Sequence, residues 1–174
     1  CPYPYEKARL IVQEMTESLA FRLSDLKMIT DSLTLTVGYD RTNCTTGSYQ
    51  GEIHIDHYGR SVPKAAHGTI HLDPPTNLGS RLIDAAVRLY AQITSPQLLV
   101  RRISIAANRV IEDHGIYQLN LFTDMKKLER EKKLQETILD IKKRFGKNSV
   151  LKGTSFLDGA TMRERNGQIG GHKA

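Results

Sequence analysis

Residues 32–39, Ser-Leu-Thr-Leu-Thr-Val-Gly-Tyr, alternate without a break. Leu33, Leu35, Val37 and Tyr39 take every second place, and Ser32, Thr34, Thr36 and Gly38 lie between them. Successive side chains on a strand point to opposite faces, so this stretch reads as a strand with one buried face and one small, polar face. Such a strand needs neighbours on both edges and an apolar cover on one side only.

Two helices supply the cover. Ala8, Ile11, Val12, Met15, Leu19, Leu23 and Leu26 recur at three- and four-residue steps after Glu6, an amphipathic helix of roughly five turns. Glu14, Glu17 and Arg22 fall off that stripe and are expected to face water. Cys1–Tyr5, with its two prolines, reads as an extended lead-in. Leu78, Leu82, Ala85, Ala86, Leu89, Tyr90 and Ile93 make the second helix. Asp73-Pro74-Pro75-Thr76-Asn77 ends the strand before it and supplies capping residues, and Thr94-Ser95-Pro96 stops it.

Three further strands are expected. One lies near Tyr49–His57 with Ile53 and Ile55 inward, and Tyr58–Pro63 makes a turn after it. One runs near Ala66–Leu72, with Ile70 and Leu72 on one side and His67, Thr69 and His71 on the other. The last is Leu98–Val110, with Ile103, Ile105 and Ala107 on one side and Arg102, Ser104, Ala106 and Asn108 on the other. The order helix, strand, strand, strand, helix, strand predicts an α+β fold over residues 1–110, an antiparallel sheet with two helices on one face. The other sheet face is small and polar. Thr34, Thr36, Thr69, His71, Arg102 and Ser104 are its candidate occupants, a surface able to meet water or a phosphate backbone.

A linker at 111–123 leads to a charged helix at 124–146 and a Gly-, Lys- and Arg-rich tail at 147–174. Leu134, Ile138, Ile141 and Phe145 form a narrow seam on the helix, suited to packing on its own domain or on a second copy of itself. Phe156, Leu157 and Ile169 are the large apolar residues of the tail, which by composition is mobile until a partner orders it. The net charge of +6 is unevenly placed. Residues 1–122 hold 12 Lys/Arg against 12 Asp/Glu, and residues 123–174 hold 13 against 7. A basic excess of this kind favours polyanions, nucleic acid first.

Other chemistries find little support. No apolar run approaches membrane-spanning length, and two cysteines build no disulfide framework, so reduced thiols in a cytoplasmic protein are expected. The start at Cys1 rather than Met reads as a fragment or a trimmed chain. On a strand His54 and Asp56 share a face while His57 points away, so His54-Ile55-Asp56-His57 does not converge on a metal. No Ser/His/Asp arrangement or phosphate-cradling glycine loop is recognisable, and no catalytic residue is assigned.

Within the linker, Gln118-Leu119-Asn120-Leu121-Phe122 combines an amide that both donates and accepts with three apolar anchors. Exposed on a connector, it would suit anchor-in-groove recognition. The same alternation also fits a short edge strand packed on its own domain. Gln-Leu-Asn-Leu-Phe resembles the pentapeptide by which bacterial polymerases and repair proteins dock on the β sliding clamp. The resemblance puts Gln118 in a small polar subsite and Leu121 with Phe122 in a hydrophobic one.

A wider resemblance covers nearly the whole chain. Residues 32–39, the Leu78–Ile93 helix, the Leu98–Asn108 strand and the tail from Gly159 to Ala174 resemble the C-terminal region of Y-family, UmuC-type translesion DNA polymerases and the UV-damage repair proteins of Gram-positive type. The resemblance implies a little-finger domain whose sheet grips the DNA backbone, a clamp partner, and a role in DNA repair. It implies a polymerase site of Mg2+-binding carboxylates in another domain; no matching carboxylate cluster is present in this chain, so no cofactor is expected here. The family's finger is commonly basic, whereas residues 1–122 are neutral.

Overall fold

In the computed structural model, residues 2–45, 49–115, 125–169 and 172–173 are described. Helix α1 spans Tyr5–Asp25 and strand β1 spans Met28–Tyr39. A single-turn helix α2 (Thr42–Thr45) and a hairpin of β2 (Ile53–Ile55) and β3 (Ser61–Pro63) follow. Then come β4 (Ala66–Thr76), α3 (Gly79–Ile93), β5 (Val100–Asn108) and β6 (Ile111–Glu112). Helix α4 runs from Met125 to Phe145, and the last segment holds a short helix α5 (Met162–Asn166).

β1 is the centre of the sheet. It pairs antiparallel with β4 on one edge and with β5 on the other, and its first residues also pair with β6. Leu33, Leu35 and Val37 are fully buried under α1 and α3, packed with Ala8, Val12, Ala20 and Leu23 from one helix and Leu82, Ala85, Ala86, Leu89 and Tyr90 from the other. The α+β fold, with both helices on one face of the sheet, is as the sequence implies. Tyr90 is the largest buried side chain, and its hydroxyl donates to the Tyr5 carbonyl at 3.0 Å. A Cβ on Gly68 would lie 2.9 Å from Ile93 Cγ2, so the glycine lets α3 sit close on β4.

Several expectations need correction. The second strand does not join the main sheet: among the described residues β2 pairs only with β3, and Ile53 and Ile55 are 51% and 57% exposed. A short Ile-His-Ile alternation does not specify which sheet it enters. The strand before α3 continues through the two prolines to Thr76, and the residue at the N-cap of α3 is Leu78, which makes no side-chain cap bond; Thr76 Oγ1 accepts from the Leu78 amide at 3.1 Å.

Glu14 and Glu17 are buried rather than solvated. They lie on the side of α1 opposite the core stripe, where the final segment covers them. Thr161 donates to Glu14 Oε2 from its amide (2.9 Å) and its hydroxyl (3.0 Å), and Lys152 pairs with Glu17 at 3.0 Å. The segment at 147–168 is therefore packed on α1, with Met162 buried, instead of loose. On α4 the seam is split: Leu134 and Phe145 are exposed while Ile138 and Ile141 are half-buried, and Leu26, which continued the α1 stripe, is exposed. The inward contact is made by Gln135. Its amide accepts from the Gly79 amide (2.8 Å) and donates to Ser24 Oγ (2.6 Å) and the Asn77 carbonyl (2.9 Å), joining α4 to α1 and to the start of α3.

Candidate nucleic-acid interface

The sheet face away from α1 and α3 gathers the six residues singled out from the sequence. Thr34 stands opposite Thr69 on β4, and Thr36 opposite Ser104 on β5. His71 is level with Ser32, and Arg102 with Gly38. Thr69, His71, Arg102 and Ser104 are exposed, while Thr34 and Thr36 on the central strand are half-buried between their neighbours. Strands lie about 4.8 Å apart and same-face residues about 6.7 Å apart along a strand, so the six form a grid of polar groups.

Two further residues belong to that grid. Asn108 Nδ2 donates to Thr34 Oγ1 at 2.8 Å, and His67 Nδ1 lies 2.9 Å from Thr36 Oγ1. Their alternation was visible in the sequence, in phase with Ser104 and with Thr69; what it lacked was the register that brings each to a threonine.

The hydroxyls are oriented before any ligand arrives. Thr34 Oγ1 and Thr69 Oγ1 are 2.8 Å apart. Two hydroxyl protons serve one bond between them, so whichever oxygen donates, one O–H is left to point outward. The accepted bond from Asn108 polarises the pair in the donating sense. Charge is sparse. Among the described residues no carboxylate lies within ion-pair distance of Arg102. Arg109, at the rim, is taken up by Asp31 at 2.8 Å. Desolvation works against the Asp31 carboxylate, but hydrogen bonds from the Ser32 hydroxyl and Arg109 outweigh it and hold its pKa below the ordinary value. The face is thus a set of hydroxyl, amide and imidazole groups with one free guanidinium, chemistry suited to phosphate oxygens rather than to base edges.

The remaining candidates fall elsewhere. Gln118, Leu119, Asn120, Leu121 and Phe122 lie outside the described residues. Asp56 is spent on the β2–β3 turn, where Arg60 Nε donates to it at 2.8 Å and the Tyr58 and Arg60 amides bond it; these bonds from Arg60 hold its pKa at about 2. Among the described residues no three His, Cys, Asp or Glu side chains converge as metal ligands. No helix among them is long and apolar enough to cross a membrane.

Residues 3–121 match the family model for the impB/mucB/samB family C-terminal domain. The chain belongs to the impB/mucB/samB family. The matched span runs from the lead-in before α1 past β6 and includes every strand of the main sheet. The chain is also 22% identical over 169 residues to a protein of Bacillus subtilis (strain 168) named "Putative UV-damage repair protein UvrX". That alignment takes in 97% of this chain and 35% of the relative, so the chain spans about a third of the relative's length. The likeness to the C-terminal region of UmuC-type, Y-family proteins holds on both comparisons.

Proposed function

We propose that this chain is the DNA-gripping and clamp-tethering C-terminal region of a lesion-bypass DNA polymerase acting in DNA repair, in the cytoplasm. The observation that carries it is the polar sheet face, where Thr34, Thr36, Thr69, His71, Arg102 and Ser104 stand together opposite the helical layer. Hydroxyls and one free guanidinium on a rigid sheet suit backbone contact, as in a little finger laid along a duplex. The impB/mucB/samB match and the relative's name support the repair setting. The Gln118–Phe122 peptide supports the clamp, which would raise the local concentration of the polymerase at a primer end.

Two measurements test the two halves. The full chain should bind a primer–template duplex with an affinity that falls as salt rises, and Arg102→Gln should flatten that slope by about one phosphate contact, ~0.9. An unchanged slope removes Arg102 from the interface. Leu121→Ala with Phe122→Ala should abolish capture by the β clamp in a pull-down with the far-UV spectrum unchanged; capture at wild-type level ends the tethering role.

A second reading is favoured by the part of the α4 seam that stays open, where Leu134 is exposed and Phe145 is 75% exposed. It makes the chain a self-associating or partner-binding module of a repair factor. Sedimentation with Leu134, Ile138 and Ile141 made polar separates the two, since a monomer in both cases argues against self-association.

A further inference from the structure

A cavity of about 560 Å3 opens between α1, the end of α4 and α5, on the outer side of α1. Its floor is apolar, made by Phe21, Leu139 and the buried Met162. Its rim is basic, with Arg22, Lys142 and Lys147. Asp25 and Lys143 also reach the rim but pair with each other. Among the described residues no carboxylate lies within ion-pair distance of Arg22, Lys142 or Lys147. The Lys142 ammonium donates to the Lys147 carbonyl at 3.0 Å and lies 5.2 Å from the Phe21 ring centroid. Burial pushes its pKa down, against the opposing field of Glu17, which is itself held by Lys152.

Three cations without counterions around an apolar, aromatic floor call for an anion with a flat apolar body. The volume lies within the roughly 300–1,000 Å3 of small-ligand sites. The surroundings favour a polyanion: residues 123–174 carry the whole net charge of +6, and their helices pack on α1. A base within a duplex is already stacked, whereas an unpaired base has a free face to offer an aromatic ring. We infer that this cavity seats one nucleotide of a single-stranded nucleic acid, its base against Phe21, Leu139 and Met162 and its phosphate between Arg22, Lys142 and Lys147. The site is separate from the sheet face and does not depend on duplex binding there.

The test uses the full chain labelled at its methionine methyls. Probes are a 5′-phosphorylated thymidine tetranucleotide, thymidine, inorganic phosphate and an acetylated Glu-Phe-Glu peptide. The tetranucleotide should shift the Met162 methyl. Lys142→Gln and Lys147→Gln should each weaken it roughly tenfold, as for one charged hydrogen bond. Phe21→Leu, which keeps the apolar volume, should weaken it while leaving its salt dependence. Arg102→Gln, on the sheet face, should leave it unchanged, so that failure here and failure of the duplex interface are told apart. Far-UV spectra and melting curves establish that each variant is folded. The inference is overturned by a Met162 methyl that the tetranucleotide does not move. It is equally overturned if phosphate alone moves that methyl as far, if the peptide binds more tightly, or if folded Lys142→Gln binds as wild type because the cations serve only the helix ends.

Discussion

Thr34 and Thr69 hold two hydroxyl protons and spend one on the bond between them. Replacing either by valine keeps the β-branched shape and frees the proton of the other, so one outward donor survives each single change. Thr34→Val and Thr69→Val should therefore each weaken duplex binding by less than about threefold. The double variant has no donor left. A lost hydrogen bond to a charged phosphate oxygen costs about 1.5–3 kcal/mol, or about 10- to 150-fold in Kd at 1.4 kcal/mol per decade. The pair is thus strongly non-additive, as expected for groups that share one bond. Both positions lie on the open face, so melting temperature should move by only a few degrees. Fluorescence anisotropy of a labelled primer–template at one fixed, low salt concentration reads the four affinities. A double variant no weaker than the product of the singles refutes the shared-proton argument, and so does a Thr69→Val that already shows the full loss.

Three further outcomes follow from the fold. Glu14, 3% exposed, takes both bonds from Thr161 through Oε2, while among the described residues its Oε1 and the buried Arg165 Nη1 have no hydrogen-bond partner; Glu14→Ala leaves the Thr161 donors unpaired and should cost about 1–3 kcal/mol in denaturant unfolding and release the Thr161 amide to exchange, and unchanged stability would contradict this. Gly68→Ala places a Cβ 2.9 Å from Ile93 Cγ2 and should destabilise by about 1–3 kcal/mol in the same assay. Asp56 should titrate at about 2 by carboxyl NMR; because its folded pKa is depressed below 3.8, its support of the β2–β3 turn is complete above that value and fades as pH falls toward 2, seen as faster exchange of the Tyr58 and Arg60 amides.

Periodicity made β1, α3 and β5 legible, because each buries one face against a neighbour close in the fold. It also put Thr34, Thr36, Thr69, His71, Arg102 and Ser104 in phase, and the register then made them neighbours. The failures share a cause. Glu14 and Glu17 break the stripe of α1, yet they are covered by residues more than 130 positions later in the chain, which no local pattern announces. On α4 the apolar seam left both its own domain and a second copy open as partners, and nothing in it announced that Gln135, with three hydrogen bonds, faces in. Ile53 and Ile55 alternate as an inward strand would, but the turn at Asp56–Arg60 closes them into their own ribbon.

Gln135 has a mechanical consequence. The nine residues at 116–124 are fastened upstream, where the Asp113 amide donates to the Lys27 carbonyl, and downstream, where Gln135 grips the start of α3. The chain is thus held to the domain on both sides of that stretch. At about 3.5 Å per extended residue, nine residues reach no more than about 16 Å out and back. A partner holding residues between these two anchors is kept within that reach of the domain, and a stronger pull must first unseat α4 and strip the Gln135 amide from the head of α3.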